Sequence, residues 1–288
     1  MPPVGSLSQS QLEELVRLAG EILDAASVRF REGIGAPSAV NKGGRDFATA
    51  LDLELEKQIG GELRKRTGIP VLGEEFGHGE KSAGGVPPDL LWVLDPIDGT
   101  LNYSAGLPMA GILLALLDNR EPVAGLTWLP MLNEKFVALS AGCLIRNGKD
   151  QPRLERVDVR ESIIALGSFN LDSAGVYPGE YRQEVIGEIS RVCSRLRLQG
   201  CTGADLAYTA AGSLGAAISF GHHVWDHAAG AALVRAAGGI VTDLHGNPWE
   251  AGSPSLLAAS PGVHEQLIAI IRAVNARTGF TQEALDAE

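Results

Sequence analysis

The chain has 288 residues, and its 24 Lys and Arg against 35 Asp and Glu give a formal net charge of −11. This acidity argues against nucleic acid and anionic membranes as partners, because both are themselves negatively charged. A chain of this length can bury a large core, either as one α/β domain or as two coupled lobes. Its three cysteines form no CxxC pair, so the sequence indicates neither a zinc site nor a disulfide framework.

The N-terminal segment lacks the charged and apolar regions of a secretory signal. The longest apolar run, around Ala110 to Leu117, is far too short to cross a bilayer. With cysteines that are most simply reduced, these features favour a cytoplasmic location.

Apolar residues at helical spacing predict a first helix that begins within residues 8–10 and ends at Gly33. The glycine-rich basic segment Asn41 to Arg45, which contains Lys42, is predicted to be a loop. It either covers an active site or only connects two elements.

A second helix is predicted after Asp46, which we take as its cap, with an apolar stripe from Phe47 to Leu63. Thr49 and Asp52 lie three residues apart and therefore share a face of that helix. They either hold a water molecule or form an ordinary polar shoulder.

Two successive predicted strands each end in acidic residues. Ile69 to Leu72 is followed by Glu74 and Glu75, and Leu90 to Leu94 is followed by the segment Asp95 to Thr100. Both strands could therefore deliver carboxylates to one edge of a sheet, which is where ligands bind in parallel and mixed sheets.

The segment Asp95 to Thr100 reads DPIDGT, and its Pro96 and Gly99 predict a tight loop at the strand end. Two carboxylates beside Gly-Thr amides suit a divalent metal and a phosphate group. The alternative is a simple turn in which Asp98 caps the next helix, but this leaves Asp95 unexplained.

An antiparallel meander is predicted next, from Gly111 to Leu117, Val123 to Leu129 and Lys135 to Leu139. Asn147-Gly148 predicts a hairpin turn.

The polar stretch from Lys149 to Arg160 marks the predicted boundary between two lobes. The N-terminal α+β lobe with the metal loop comprises residues 1–150, and the C-terminal α/β lobe comprises residues 151–288. The second half alternates strands and helices, and we expect the two lobes to work as a single functional unit.

Trp225-Asp226 precedes a predicted helix from Ala228 to Ala237. Taken alone, Asp226 is most simply the cap of that helix. His222 and His223 do not indicate zinc, because adjacent residues point apart on a strand and no partner stands at metal-ligand spacing.

In order and spacing, Glu74-Glu75, the DPIDGT segment and Trp225-Asp226 resemble the inositol monophosphatase family, in a member of actinobacterial type. The resemblance covers nearly the whole chain. It implies an α/β (α+β) fold, a layered αβαβα sandwich of the inositol monophosphatase and fructose-1,6-bisphosphatase type. It also implies a Mg²⁺-dependent, Li⁺-sensitive phosphomonoesterase that forms a homodimer.

The same resemblance implies two Mg²⁺ ions bridged by Asp95 and a weaker third near Glu74, with Mn²⁺ as a substitute and Li⁺ and Ca²⁺ as inhibitors. The implied metal ligands are Glu74, Asp95, the Ile97 carbonyl, Asp98 and Asp226. Thr100 with Asp52 would activate the attacking water, and Glu75 would support the metal shell. The implied substrate contacts are Lys42, Asp98, Gly99, Thr100, Gly200, Cys201, Thr202 and Ser219.

One position departs from the family pattern: Ser219 stands where many inositol-hydrolysing members have a glutamate. Myo-inositol 1-phosphate is the first substrate hypothesis, and histidinol phosphate, fructose 1,6-bisphosphate and adenosine 3′,5′-bisphosphate are alternatives with the same chemistry.

A haloacid dehalogenase mechanism is disfavoured, because its motif has one residue between the acids and here Pro96 and Ile97 intervene. A non-enzymatic metal-binding regulator would be favoured by an incomplete ligand set, and the set is complete.

Overall fold

A computed structural model describes residues 7–43, 46–78, 89–140, 142–173 and 176–280. The α-helices of these residues are α1 (Gln9–Glu32), α2 (Ala50–Thr67), α3 (Thr100–Ser104), α4 (Gly179–Val192), α5 (Thr202–Ala210), α6 (Val224–Ala236) and α7 (Pro261–Thr278). The strands are β1 (Ser38–Gly43), β2 (Asp46–Thr49), β3 (Val71–Gly73), β4 (Gly77–His78), β5 (Leu90–Asp98), β6 (Gly111–Asp118), β7 (Glu121–Leu129), β8 (Glu134–Leu139), β9 (Ile145–Arg146), β10 (Lys149–Asp150), β11 (Ile163–Leu166), β12 (Arg195–Arg197), β13 (Ala216–Ser219), β14 (Ile240–Thr242) and β15 (Leu256–Ala259).

The strands form two large sheets and one small hairpin. The eight-stranded sheet has the order β10-β9-β8-β7-β6-β5-β3-β4, and within it only β3 and β5 run parallel among the described strands. The five-stranded sheet has the order β12-β11-β13-β15-β14, with β11 parallel to both neighbours and β15 antiparallel to both of its own. The hairpin pairs β1 with β2.

The helices and sheets stack as the predicted αβαβα sandwich. Helices α1 and α2 cover one face of the eight-stranded sheet, α5 and α6 lie between the two sheets, and α4 and α7 cover the outer face of the five-stranded sheet. The alternation of side chains along β5 produces these layers, because Trp92 and Leu94 enter the core under α1 and α2, whereas Leu91 and Val93 enter the core around α5 and α6.

The middle layer depends on small residues. A side chain at Gly230 of α6 would overlap Leu206 of α5, and one at Gly125 of β7 would overlap the carbonyl of Ala229. Glycine and alanine at these positions therefore bring α5 and α6 close to each other and to the sheet. Since these two helices pack on both sheets, the division into lobes at residue 150 stays a prediction.

Several predictions from local sequence are confirmed. Ser8 caps α1 through a capping box with Gln11, and Gly33 closes that helix. The meander is antiparallel. Asn147 and Gly148 both have positive φ, at 50° and 74°, as a two-residue hairpin turn between β9 and β10 requires. Among the described residues, no helix is long and apolar enough to cross a membrane.

Four predictions of local structure are wrong. Residues 41–43 of the predicted loop Asn41 to Arg45 belong to strand β1, because they pair with β2. Asp46 does not cap α2: it begins β2, which pairs with β1, and Thr49 is the cap. Strand β5 does not end at Leu94 but continues to Asp98, because an irregular register opposite β6 accommodates Pro96. Helix α6 begins at Val224, and Asp226 lies within its first turn, so it is not the cap.

Candidate active site

The end of β5 places two aspartates inside the molecule. Asp95 and Asp98 expose only 1% and 7% of their surface. The backbone N–H of Ile97 donates to Oδ1 of Asp95 at 3.0 Å, so the end of β5 fixes that carboxylate. Burial, together with the negative charges of Glu74, Asp98 and Asp226, raises the pKa of Asp95 well above its ordinary value.

Strand β3 brings the glutamates to the same edge as the aspartates. It runs parallel to β5, and the N–H of Glu74 donates to the Leu94 carbonyl at 3.2 Å. The Glu74 side chain is near enough to Asp95 to raise the pKa of that carboxyl. Asp226 reaches this cluster from the first turn of α6. The four predicted side-chain ligands Glu74, Asp95, Asp98 and Asp226 are thus brought together.

The carboxylate of Asp98 faces the N-terminus of α5. Its Oδ2 accepts from the Cys201 thiol at 2.9 Å and from the Gly203 N–H at 2.7 Å, and its Oδ1 lies 3.2 Å from the Thr202 nitrogen. Burial raises the pKa of Asp98 to about 6, although these hydrogen bonds oppose the rise. Cys201 and Thr202, predicted as substrate contacts, therefore touch a carboxylate through the thiol and the backbone.

Thr100 and Asp52 meet beside the end of β5. Thr100 Oγ1 lies 2.9 Å from the Ile97 carbonyl and 3.3 Å from Oδ1 of Asp52. Asp52 is fully buried and forms a capping box with Thr49, whose N–H donates to Oδ2 at 2.8 Å. Burial raises the pKa of Asp52. The Thr49–Asp52 pair thus caps α2 and also contacts Thr100. The sequence leaves open only two roles for it, the binding of a water molecule or an ordinary polar position on the helix.

Gly99 and Gly200 make a close backbone contact. Gly99 has φ +81°, and a Cβ there would lie 2.9 Å from the Met109 carbonyl and 3.1 Å from the Gly200 carbonyl. Glycine is therefore required at position 99, both for its backbone angle and for its space.

The remaining predicted residues lie as follows. Glu75 donates its N–H to Oε2 of Glu56 at 2.8 Å. Ser219, at the end of β13, is 7% exposed, and its hydroxyl lies 2.8 Å from Nε2 of the buried His227. Lys42 belongs to β1, and its side chain lies outside what the structure describes.

Sequence reasoning missed two residues that support the site. Glu56 of α2 is 5% exposed and accepts the backbone N–H groups of both Glu75 and Phe76. Its position four residues after Asp52, on the same helix face, was the available signal. His227, buried next to Asp226, has its pKa lowered to about 3 by burial and is therefore neutral.

The carboxylates fit a divalent cation by their chemistry. All candidate donors are oxygens, the type that Mg²⁺ prefers, and their mutual repulsion raises the pKa of Asp95. Within the described ranges, no three His, Cys, Asp or Glu side chains already form a metal-binding group. The fit therefore rests on the kind of donor and on the closeness of several carboxylates to Asp95.

Comparisons with known proteins identify the family of this chain. The inositol monophosphatase family profile matches residues 9–276. The chain is 58% identical over 274 residues to inositol-1-monophosphatase ImpA of Mycolicibacterium smegmatis, covering 94% of this chain and 97% of that protein. It is 51% identical over 265 residues to the probable inositol 1-monophosphatase ImpA of Mycobacterium tuberculosis, covering 92% and 96%. The solved structure of a Thermotoga maritima IMPase matches with a TM-score of 0.81 at 27% identity, covering 92% of this chain and 99% of that one.

The fold and the matching sequences are those of a phosphatase enzyme. The chain belongs to the inositol monophosphatase family, and this membership implies the use of a divalent metal.

Proposed function

We propose that this enzyme hydrolyses myo-inositol 1-phosphate to inositol and inorganic phosphate with Mg²⁺. The observation that carries the proposal is the identity of 58%, over nearly the full length, to a protein named inositol-1-monophosphatase. The chemistry of the site supports the same function, because three acidic side chains, Glu74, Asp98 and Asp226, lie around Asp95.

Glu74, Asp95, Asp98, Asp226 and the Ile97 carbonyl would hold the metal. When bound, Mg²⁺ would neutralise negative charge on the phosphate and lower the pKa of water. The protein's own contribution is to fix these oxygens: Ile97 orients Asp95, and the first turn of α5 orients Asp98.

Thr100 and Asp52 would orient and activate the attacking water. The Thr100 hydroxyl can accept a hydrogen bond from water while it donates to Oδ1 of Asp52, 3.3 Å away. Asp52 is held for this role by the N–H of Thr49. Glu75 would act indirectly, since its backbone is anchored by Glu56 on the helix that carries Asp52.

The backbone N–H groups of Gly99 and Thr100 would receive the phosphate. The substrate's remaining groups would lie near the segment 200–202 and Lys42. Ser219 would influence the substrate indirectly. Its hydroxyl contacts the buried His227, which is adjacent in the chain to the proposed metal ligand Asp226. We also propose Li⁺ and Ca²⁺ inhibition, replacement of Mg²⁺ by Mn²⁺, a homodimer, a cytoplasmic location, and lobes that meet near residue 150.

The test is phosphate release from a panel of esters with Mg²⁺, with and without Li⁺. The panel contains myo-inositol 1-phosphate, histidinol phosphate, fructose 1,6-bisphosphate and adenosine 3′,5′-bisphosphate. We expect kcat/KM to be highest for the inositol ester and Li⁺ to lower it. The Asp98→Asn variant, purified identically, controls for contaminating phosphatases. A higher kcat/KM for another ester would overturn the substrate, and no release from any ester would overturn the proposed function.

A further inference from the structure

The side chain of Asn102 ties together two segments that are far apart in the sequence. Asn102 lies in α3, directly after the DPIDGT segment. Its Nδ2 lies 2.8 Å from the Met109 carbonyl, 2.6 Å from the Gln199 carbonyl and 3.3 Å from the Gly200 carbonyl. The amide group therefore bridges the segment after β5 and the segment before α5.

The segment before α5 has a further contact, which joins Gln199 to α5 itself. Nε2 of Gln199 donates to Oδ1 of Asp205 at 2.6 Å, and Asp205 is 3% exposed within α5. Gln199 is thus held by Asn102 through its carbonyl and by α5 through its side chain. The three groups that bind the carboxylate of Asp98 follow directly, at Cys201 and in the first turn of α5.

The two segments pack with almost no free space. The Gly200 carbonyl and Cβ of Cys201 lie 3.1 and 3.2 Å from where a Cβ of Gly99 would be. A small shift of residues 199–201 away from α3 would therefore move the Cys201 thiol relative to Asp98 and pull on the start of α5. The donor at position 102 opposes this shift, because two carbonyl oxygens of the segment accept from it.

We propose that Asn102 is a positioning residue for Asp98: it holds residues 199–201 so that Cys201 and the first turn of α5 orient that carboxylate. The proposal deepens the proposed function, since it rests on Asp98 being a metal ligand. Hydrogen-bond partners of metal ligands typically contribute roughly 10- to 100-fold to metal affinity. Asn102 acts one contact further away, so its loss should produce an effect at the lower end of this range.

The experiment compares two variants at position 102 with a control in a distant core. Asn102→Ala removes the whole amide, and Asn102→Asp keeps its shape but replaces the donor by an oxygen that faces carbonyl oxygens. Val185→Ala removes buried apolar volume between α4 and the five-stranded sheet, away from the carboxylates. It reports what a general loss of stability does to each measurement.

Two readouts need no substrate. Isothermal titration with Mg²⁺ should show about tenfold weaker binding for both position 102 variants and unchanged binding for Val185→Ala. Alkylation of Cys201, followed by peptide mass spectrometry without metal, should be at least fivefold faster in both variants. The exposed Cys143 provides the internal standard for this rate. In phosphate release, the Mg²⁺ concentration for half-maximal rate should rise in both position 102 variants and stay at the wild-type value in Val185→Ala.

Wild-type Mg²⁺ affinity and wild-type Cys201 labelling in Asn102→Ala would overturn the proposal. So would an Asn102→Asp variant that behaves as wild type, because the donor would then be irrelevant. Equal effects in Val185→Ala would reduce the role of Asn102 to general stability and would also overturn it. A wild-type protein that releases no phosphate would instead overturn the proposed function, and Cys201 labelling would still decide whether Asn102 holds the segment.

Discussion

Replacing Asp98 by asparagine should make the metal-free protein more stable while it abolishes turnover. The substitution keeps the shape of the side chain and removes its charge. The asparagine oxygen can take the place of Oδ2 and accept from Cys201 and Gly203. Its NH₂ group then faces the N–H of Thr202, so one hydrogen bond is lost, at a cost of about 1 kcal/mol.

The removed charge outweighs this cost above pH 6. Burial raises the pKa of Asp98 to about 6, against an ordinary value of 3.8. The unfolded carboxyl therefore ionises at lower pH than the folded one, and a penalty develops as the pH rises between these values. It is complete above pH 6, where it amounts to about 3 kcal/mol. The net expectation for Asp98→Asn at pH 8 is about 2 kcal/mol of added stability, which corresponds to a Tm increase of roughly 4 °C.

Thermal unfolding in EDTA at pH 4 and pH 8 measures this difference, and phosphate release with Mg²⁺ measures the loss of function. We expect the Tm gain of Asp98→Asn at pH 8 only, and a fall in kcat/KM beyond roughly a hundredfold, because changes in outer-shell partners alone reach that size. Asp243→Asn is the matched control. Asp243 is 5% exposed and accepts from the backbone of His245 and Asn247, so its variant should lose stability and keep its activity.

Two results would refute this reasoning. A Tm for Asp98→Asn that lies below wild type at pH 8 as well as at pH 4 would mean that the buried charge carries no penalty. Retained phosphate release would mean that Asp98 is not a metal ligand.

Three further variants test other contacts of the site. Thr100→Val should lower kcat at least tenfold with Mg²⁺ affinity nearly unchanged, because it removes the hydroxyl next to Asp52, and equal kcat would exclude Thr100 from activating water. Gly99→Ala should lower the free energy of unfolding by at least about 1 kcal/mol in urea titrations, since φ is +81° and the Met109 carbonyl is close; an unchanged midpoint would contradict this. Ser219→Ala should cost about 1–3 kcal/mol, because it leaves Nε2 of buried His227 without this partner. A rise in KM for the ester without that loss would instead make Ser219 a direct substrate contact.

Local patterns were sufficient to predict the elements that carry their own signals. The start of α1 near Ser8, the Asn147-Gly148 turn and the apolar runs of the meander each specify their structure within a few residues, and all are found. The DPIDGT segment was only partly predictable: Gly99 does end the strand, with φ +81°, but Pro96 does not, because β5 continues past it with an irregular register opposite β6.

Contacts between distant segments could not be predicted in the same way. Asp46 resembles a helix cap, but pairing with β1 makes it part of a strand, and Thr49 takes over the cap. The thiol of Cys201 next to Asp98 and the Ser219–His227 pair depend on how α5 and α6 pack, which no local pattern encodes. The family resemblance implies Ser219 as a substrate contact, which stays a prediction, and the structure adds a contact between its hydroxyl and a buried histidine.

The carboxylates can gather because the two middle helices point their N-termini at them. Asp98 binds N–H groups at the start of α5, and Asp226 lies in the first turn of α6, so each charge lies in the favourable end of a helix dipole. Those N-termini reach the edge of β5 because two glycines leave room for close packing. Gly230 lets α6 approach Leu206 of α5, and Gly125 of β7 lets the backbone of α6 approach the sheet at Ala229. The small residues that are abundant in the sequence are thus part of the site, although they bind nothing there. A bulkier middle layer would separate Asp226 from Asp95 and Asp98 before any ligand residue had changed.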